Sequence, residues 1–192
     1  MKKLANSSVE LHPLIAQRWS PRSFDGAAEL SVPDLTALIE AARWAPSSNN
    51  SQPWRFVIAR RGDVHFAKLV DTMAGFNKLW APKASALVFV LANTTNDDGT
   101  PRVAALYDAG LAASLLTVEA AHRGLVVHQI GGFDQAQAMS DFDLPATLTP
   151  VVILAIGKQA PAEALEDATL LEREIAERVR KPLDDLIVGG SL

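Results

Sequence analysis

The chain has 192 residues, 48% of them apolar, a formal net charge of −4 and no cysteine. That length suits one domain, or one subunit of a compact dimer, with a sizeable core. Lack of cysteine excludes disulfides, thiolate catalysis and thiolate metal sites, and the mild charge gives no field that would draw in nucleic acid.

The start, MKKLANSSVELHPL, has no apolar run behind its lysines, which argues against a secretory signal. A first helix is expected from about Val9 to Arg18, stopped by Pro21. A second starts near Ser31, where Ser31 and Asp34 have capping-box-like spacing and Pro33 lies in the first turn. Leu35, Leu38, Ile39 and Ala42 then share a face, and Pro46 closes the segment. Arg55 to Ala59 reads as a strand, Val64 to Met73 as a helix, and Phe76 to Pro82 as irregular or a short helical turn. Ala86 to Ala92 is apolar without interruption, as in a strand buried on both sides.

Val103 to Arg123 is the longest helical signal and is apolar nearly all round, so it belongs in the centre or in a subunit interface. Ala104, Ala105, Ala109, Ala112, Ala113 and Gly110 would let another helix approach closely, and Gly124 suits a C-cap. Leu125 to His128 is a short strand broken by Gly131 and Gly132, and a short helix follows near Gln135 to Met139. Val151 to Ile156 is the last strand, and a charged helix runs from about Ala168 to Val179. The apolar runs ALVFVLA and VVILAIG are too short to cross a bilayer. The expectation is one α+β or three-layer α/β domain over residues 1–192, cytoplasmic and without membrane contact.

Four segments carry polar chemistry. In RWSPRSF, Arg18, Ser20 and Arg22 have the spacing of one extended face. They form either a cradle for a phosphate or a solvated basic turn. In APSSNNSQPWRF, the amides of Asn50 and Gln52 donate and accept together, as a heterocycle edge requires. The competing reading is a loop of turns, and Trp54 and Phe56 are core anchors either way. In HQIGGFD, the glycines permit backbone approach to a flat ligand or a tight turn with positive φ. ERVRKP adds a basic cluster near the end. The histidines His12, His65, His122 and His128 lack zinc-site spacing, so no metal is expected. There is no GxSxG elbow, Walker loop or GxGxxG.

In this order, with Asn77 ahead of a buried strand, these segments resemble the FMN-dependent nitroreductase family over nearly the whole chain. The resemblance implies a three-layer α+β sandwich, with a central mostly antiparallel sheet flanked by helices, in an intertwined homodimer. FMN would lie at the interface. NAD(P)H would reduce it, and a nitroaromatic, quinone or similar small acceptor would reoxidise it in a ping-pong cycle. No side chain is a nucleophile, because flavin N5 carries the hydride. Carried over, Arg18 and Arg180 would hold the FMN phosphate, assisted by Arg178 or Lys181. Trp19 would contribute through its backbone, and Ser20 would bind the phosphate or ribityl region. Arg22 would approach the N1/O2 edge and Asn77 the pyrimidine edge. Pro46, Ser47, Ser48, Asn50 and Gln52 would come from the other subunit. The segment Gln129, Ile130, Gly131 and Gly132 would meet the flavin, its glycine backbone facing N5.

Three departures from the family pattern stand out: Trp19 at a commonly polar position, Trp80 where many members have lysine, and Gly131 where some have glutamate. Trp80 in place of that lysine loses one flavin-edge contact and could narrow the pocket. Phe76, Trp80, Phe133 and Phe142 all lie near segments that could line it, although core packing is the commoner fate of such aromatics. Alternatives within the same fold are a dehalogenase, a flavin-degrading or ring-oxidising enzyme, or an FMN-binding dimer without turnover.

Overall fold

One strand decides the architecture. In β2 (Ala86–Asn93), Leu87, Phe89 and Leu91 join one apolar cluster, and Ala86, Val88, Val90 and Ala92 join another. Side chains alternate along a strand, so a strand apolar at both sets of positions needs cover on both faces. The computed structural model, which describes residues 3–190, supplies that cover.

With β1 (Trp54–Arg60), β3 (Val126–Ile130) and β4 (Leu148–Gly157), β2 forms a sheet of order β1-β2-β4-β3. Every pairing is antiparallel. On one face lie α2 (Val32–Arg43) and α5 (Ala105–His122). On the other lie α3 (Val64–Thr72), α4 (Asn77–Trp80), α6 (Gln135–Asp141) and α7 (Ala168–Ile175). This is the three-layer α+β sandwich expected from the sequence. Each fully buried Leu, Ile or Phe in the two cores contributes about 1.5–3 kcal/mol.

Local chemistry explains the boundaries. The Ser31 hydroxyl accepts the Asp34 N–H at 3.1 Å and so caps α2. In α5 the alanines at 105, 109, 112, 113 and 120 face inward with Leu116. Its outer face leaves Leu106, Tyr107 and Gly110 exposed. Gly124, at φ +70°, ends it.

Three boundaries differ most from expectation. The first helix, α1, is only Pro13–Gln17. A proline at 13 would clash with the carbonyl four residues back if the helix began at Val9; instead His12 caps it through Nδ1 to the Leu14 N–H. Helix α7 stops at Ile175 because Ala176 turns extended, at ψ 146°, so residues 177–182 are not helical. Strand β4 begins at Leu148, ahead of Val151, and absorbs Pro150 where its register against β2 shifts at Val90/Leu91.

Candidate cofactor site

The stretch from Arg18 to Phe24 is pinned by its neighbours. Arg18 turns extended as α1 ends. Phe24 bridges Gln159, and the Ala160 N–H donates to the Ser23 carbonyl at 3.0 Å. The His128 ring places Nδ1 3.0 Å from the Pro21 carbonyl oxygen. The Glu174 carboxylate accepts the N–H of Arg22 at 2.8 Å and of Ser23 at 3.2 Å. The Ser23 hydroxyl donates to the Pro161 carbonyl at 2.6 Å.

So held, Arg18, Trp19, Ser20 and Arg22 line one cavity of about 250 Å³ with Arg178 and Arg180. Lys3, Arg173 and Glu177 complete its charged lining. Six cations thus face one carboxylate. Burial above all, then repulsion by Arg178 and Arg180, holds Arg18 below the usual arginine range. Burial also lowers Arg22; Glu174 opposes that shift and Arg173 adds to it. Arg178 is lowered by burial and by Arg180, and Lys3 is lowered chiefly by burial. Crowded like charges disfavour one another, whereas guanidinium forks match phosphate oxygens. The donor set therefore fits a phosphate monoester.

Within this cavity the cations differ in role. Arg178 spends Nη1 on the carbonyls of Lys3 and Ala16, at 2.8 and 2.7 Å. It stitches the segment after α7 to the start of the chain. Lys3 Nζ donates to the Glu174 carbonyl at 2.7 Å and sits 4.4 Å from the Trp19 ring centre. Trp19 is one of the residues lining the cavity, its ring beside the Lys3 ammonium. Lys181 is exposed and does not line it.

A second pair of expected residues meets elsewhere. The Asn77 amide donates to the Gly132 carbonyl at 3.3 Å, and the Ala74 N–H donates to the same oxygen at 2.9 Å. Neither Gly131 nor Gly132 is among the glycines at positive φ, so a left-handed turn is not what requires them. At Gly132 the reason is close approach: a Cβ would lie 3.3 Å from Asn77 Nδ2. Gly131 opens onto free space. Gln129 ties its amide to the Thr117 hydroxyl on α5 at 3.2 Å, and Ile130 is core.

Trp80 and Phe133 are buried and Phe142 packs against the same core, the commoner fate expected of these aromatics, whereas Phe76 is not buried. Trp80 is 1% exposed. Its ring lies 5.9 Å from that of Phe24 and 4.5 Å from that of His128. It is a core residue and does not narrow the cation cavity. Its indole N–H has no hydrogen-bond partner among the described residues. Phe133 packs edge-on against Phe89, and Phe142 lies against Phe89 and His65. Phe76 remains exposed, with the Arg173 guanidinium 5.2 Å from its ring centre.

The polar row at 46–52 has unusual backbone. Asn49, Asn50 and Gln52 adopt φ of 51°, 54° and 44°. Left-handed conformations at non-glycine residues cost roughly 1 kcal/mol or more each and persist only where contacts hold them. Here the Asp108 carboxylate accepts the Ser48 N–H at 3.1 Å, and the Ser47 hydroxyl accepts the Gln52 N–H at 3.0 Å. Pro46, Ser48, Asn50 and Gln52 are exposed, and Ser47 is half-buried. Asp108 lies in the first turn of α5. Thr117, nine residues on, lines an apolar groove of about 400 Å³ that reaches Arg18 and Trp19. That length of helix is about 14 Å, so a single chain holds the polar row and the cation cavity near different ends of α5.

The sequence profile of the Nitroreductase family matches residues 15–79, a span that contains both N-terminal motifs and Asn77. The solved structure of an FMN-containing oxidoreductase superposes with a TM-score of 0.89 at 33% identity, over 97% of this chain and 94% of that one. The chain belongs to the nitroreductase family. An uncharacterised 15.4 kDa protein of Mycolicibacterium smegmatis is 37% identical over 143 residues, covering 71% of this chain and 95% of that protein. The oxygen-insensitive NAD(P)H nitroreductase of Salmonella typhimurium is 33% identical over 92 residues, 47% of this chain and 42% of that protein. Gly131, Gly132 and the 173–180 segment of this nitroreductase-family chain fall outside the profile match. Their link to the N-terminal motifs is the three-dimensional one described above. No described helix is long and apolar enough to cross a membrane.

Sequence reasoning missed Lys3, Arg173, Glu174 and Asp108. Two left a signal. Glu174 lies four residues after buried Leu170 on one helix face. Asp108 is a lone carboxylate among the inward alanines of α5. Lys3 left none.

Proposed function

We propose that this chain is an NAD(P)H-dependent FMN oxidoreductase, acting as a homodimer on small organic acceptors such as nitroaromatics or quinones. The observation that carries the reading is the cavity in which Arg18, Ser20, Arg22 and Arg180 converge with Lys3. FMN, when bound, supplies the two-electron chemistry that links NAD(P)H oxidation to acceptor reduction.

Arg18, Arg180 and Lys3 would hold the phosphate, with Ser20 donating a hydroxyl and Arg178 keeping the cavity wall in place. Arg22 would face the N1/O2 edge, where a cation stabilises negative charge and raises the reduction potential. Asn77 would engage the pyrimidine edge beside Gly132. The open backbone at Gly131 leaves room for a flat ring system. Pro46, Ser47, Ser48, Asn50 and Gln52 would reach the cofactor of a second copy. The distance along α5 and the exposed Leu106 and Tyr107 on its outer face support that arrangement. Donor and acceptor would use the same open face in turn, giving ping-pong kinetics.

The test is a visible spectrum of purified protein loaded with FMN, before and after anaerobic NADH and then NADPH. Bleaching of the flavin bands by either nucleotide, and their return on adding a quinone, are expected. Protein that takes up no FMN overturns the reading.

A further inference from the structure

The charged groups around Arg22 include a buried anion that the flavin reading leaves without a task. Glu174 is 1% exposed. Its two carboxylate oxygens accept consecutive backbone N–H groups, Arg22 at 2.8 Å and Ser23 at 3.2 Å. Its own carbonyl accepts Lys3 Nζ at 2.7 Å. Burying a carboxylate is costly, and a well-packed apolar residue would often serve stability as well. A carboxylate here does something an apolar side chain cannot: it fixes the direction of two adjacent peptide planes. His128 holds the preceding carbonyl, that of Pro21, and Pro161 holds the Ser23 hydroxyl. The Arg22 backbone is therefore gripped on both sides, and Glu174 is the one grip that touches its own N–H.

Resting on the flavin reading above, we propose that Glu174 is the positioning residue for Arg22, aiming its guanidinium at the bound cofactor and thereby setting its reduction potential. Positioning within about 0.5 Å is what such sites demand of their supporting residues. The role is separable from a direct electrostatic one by sign. A carboxylate that merely adds negative charge lowers the potential, so its removal raises it. A carboxylate that holds Arg22 in place raises the potential, so its removal lowers it.

The experiment measures the midpoint potential and the dissociation constant of FMN for wild type, Glu174→Gln, Glu174→Asp, Arg22→Gln and the Glu174→Gln/Arg22→Gln double variant. Glu174→Gln turns an amide N–H toward a backbone N–H and breaks one bond. Glu174→Asp keeps the charge but falls short of both donors, and it serves where the glutamine variant folds poorly. Both are expected to lower the potential and to weaken FMN binding about tenfold or more, since Glu174→Gln loses one charged hydrogen bond and Glu174→Asp loses both. In the Arg22→Gln background the Glu174 change is expected to move the potential no further, because the two residues act as a unit. A raised potential in Glu174→Gln overturns the proposal. So does an unchanged potential in Glu174→Asp, or an effect of equal size with and without Arg22. Wild-type protein that binds no FMN sinks the flavin reading itself, a result distinct from all of these.

Discussion

The Asp108 carboxylate holds the Ser48 backbone N–H at 3.1 Å, tying the first turn of α5 to the most strained loop of the chain. Asp108→Ala leaves that N–H to solvent and releases Asn49, Asn50 and Gln52 from their left-handed geometry. A net loss of about 1 kcal/mol is expected: roughly 1.5 kcal/mol from the charged hydrogen bond, less about 0.5 kcal/mol from better helix propensity. Asp108→Asn, which keeps an acceptor, is expected to lose less. Urea denaturation of both variants checks the order, and equal stabilities would show that the contact holds nothing.

Gly132 tests close approach separately from backbone freedom. Its φ is not left-handed, so alanine fits the backbone and even reduces the entropy of the unfolded chain. The new Cβ must push the Asn77 amide by a few tenths of an ångström. Gly132→Ala is therefore expected to leave the thermal midpoint nearly unchanged while weakening FMN binding about tenfold, a loss of about 1.4 kcal/mol. A fluorescence titration reads the affinity. An affinity equal to wild type would remove Asn77 from the site.

The crowded cations predict a stability response to anions. Inorganic phosphate is expected to bind the folded cavity and so to raise the melting temperature of flavin-free protein above that seen in chloride of equal ionic strength. Arg18→Ala and Arg180→Ala relieve mutual repulsion, so neither is expected to destabilise the flavin-free chain. Each should lower FMN affinity about 10- to 100-fold and flatten its salt dependence. A phosphate response that survives both substitutions would place the anion elsewhere.

His128 gives the site a sensitivity to acid. Burial lowers its pKa from 6.5 to about 4, against the opposing hydrogen bond to the Pro21 carbonyl. The ring is therefore neutral at pH 7, with Nδ1 as the donor. Below pH 6.5 the unfolded chain takes up a proton that the folded chain refuses, so stability falls until about pH 4. The full drop from this group is about 3 kcal/mol. Wild type is expected to lose more stability between pH 6.5 and 4 than His128→Asn, which does not titrate. Parallel stability curves for the two proteins would refute the assignment.

Much of this was legible in the residues because local chemistry and tertiary need agreed. The unbroken apolar run of β2 demanded cover on both faces, and the Ser31 cap marked the start of α2. Trp80 takes the core place that is the commoner fate of such aromatics, its ring turned inward beside Phe24 and His128, residues far away along the chain. Lys3 was invisible because only contacts far along the chain, with Arg178, Glu174 and Trp19, bring it to the cavity. The end of α7 was set in the same way: the chain leaves helical geometry at Ala176, ahead of Arg178, which reaches Lys3 and Ala16. Periodicity continues past that point; the competing contact is not written in it.

The stitch between Arg178 and Lys3 also has a meaning for synthesis. Every strand among the described residues is complete by Gly157, while Arg173, Glu174, Arg178 and Arg180 come later. A chain emerging from the ribosome can pair its sheet and bury most of both apolar layers before any of these residues exists. Lys3, made before every described strand, waits for Arg178, made after them all. The cation cavity therefore gains its last lining residue only when translation has passed Arg180, well after the sheet beside it can pair.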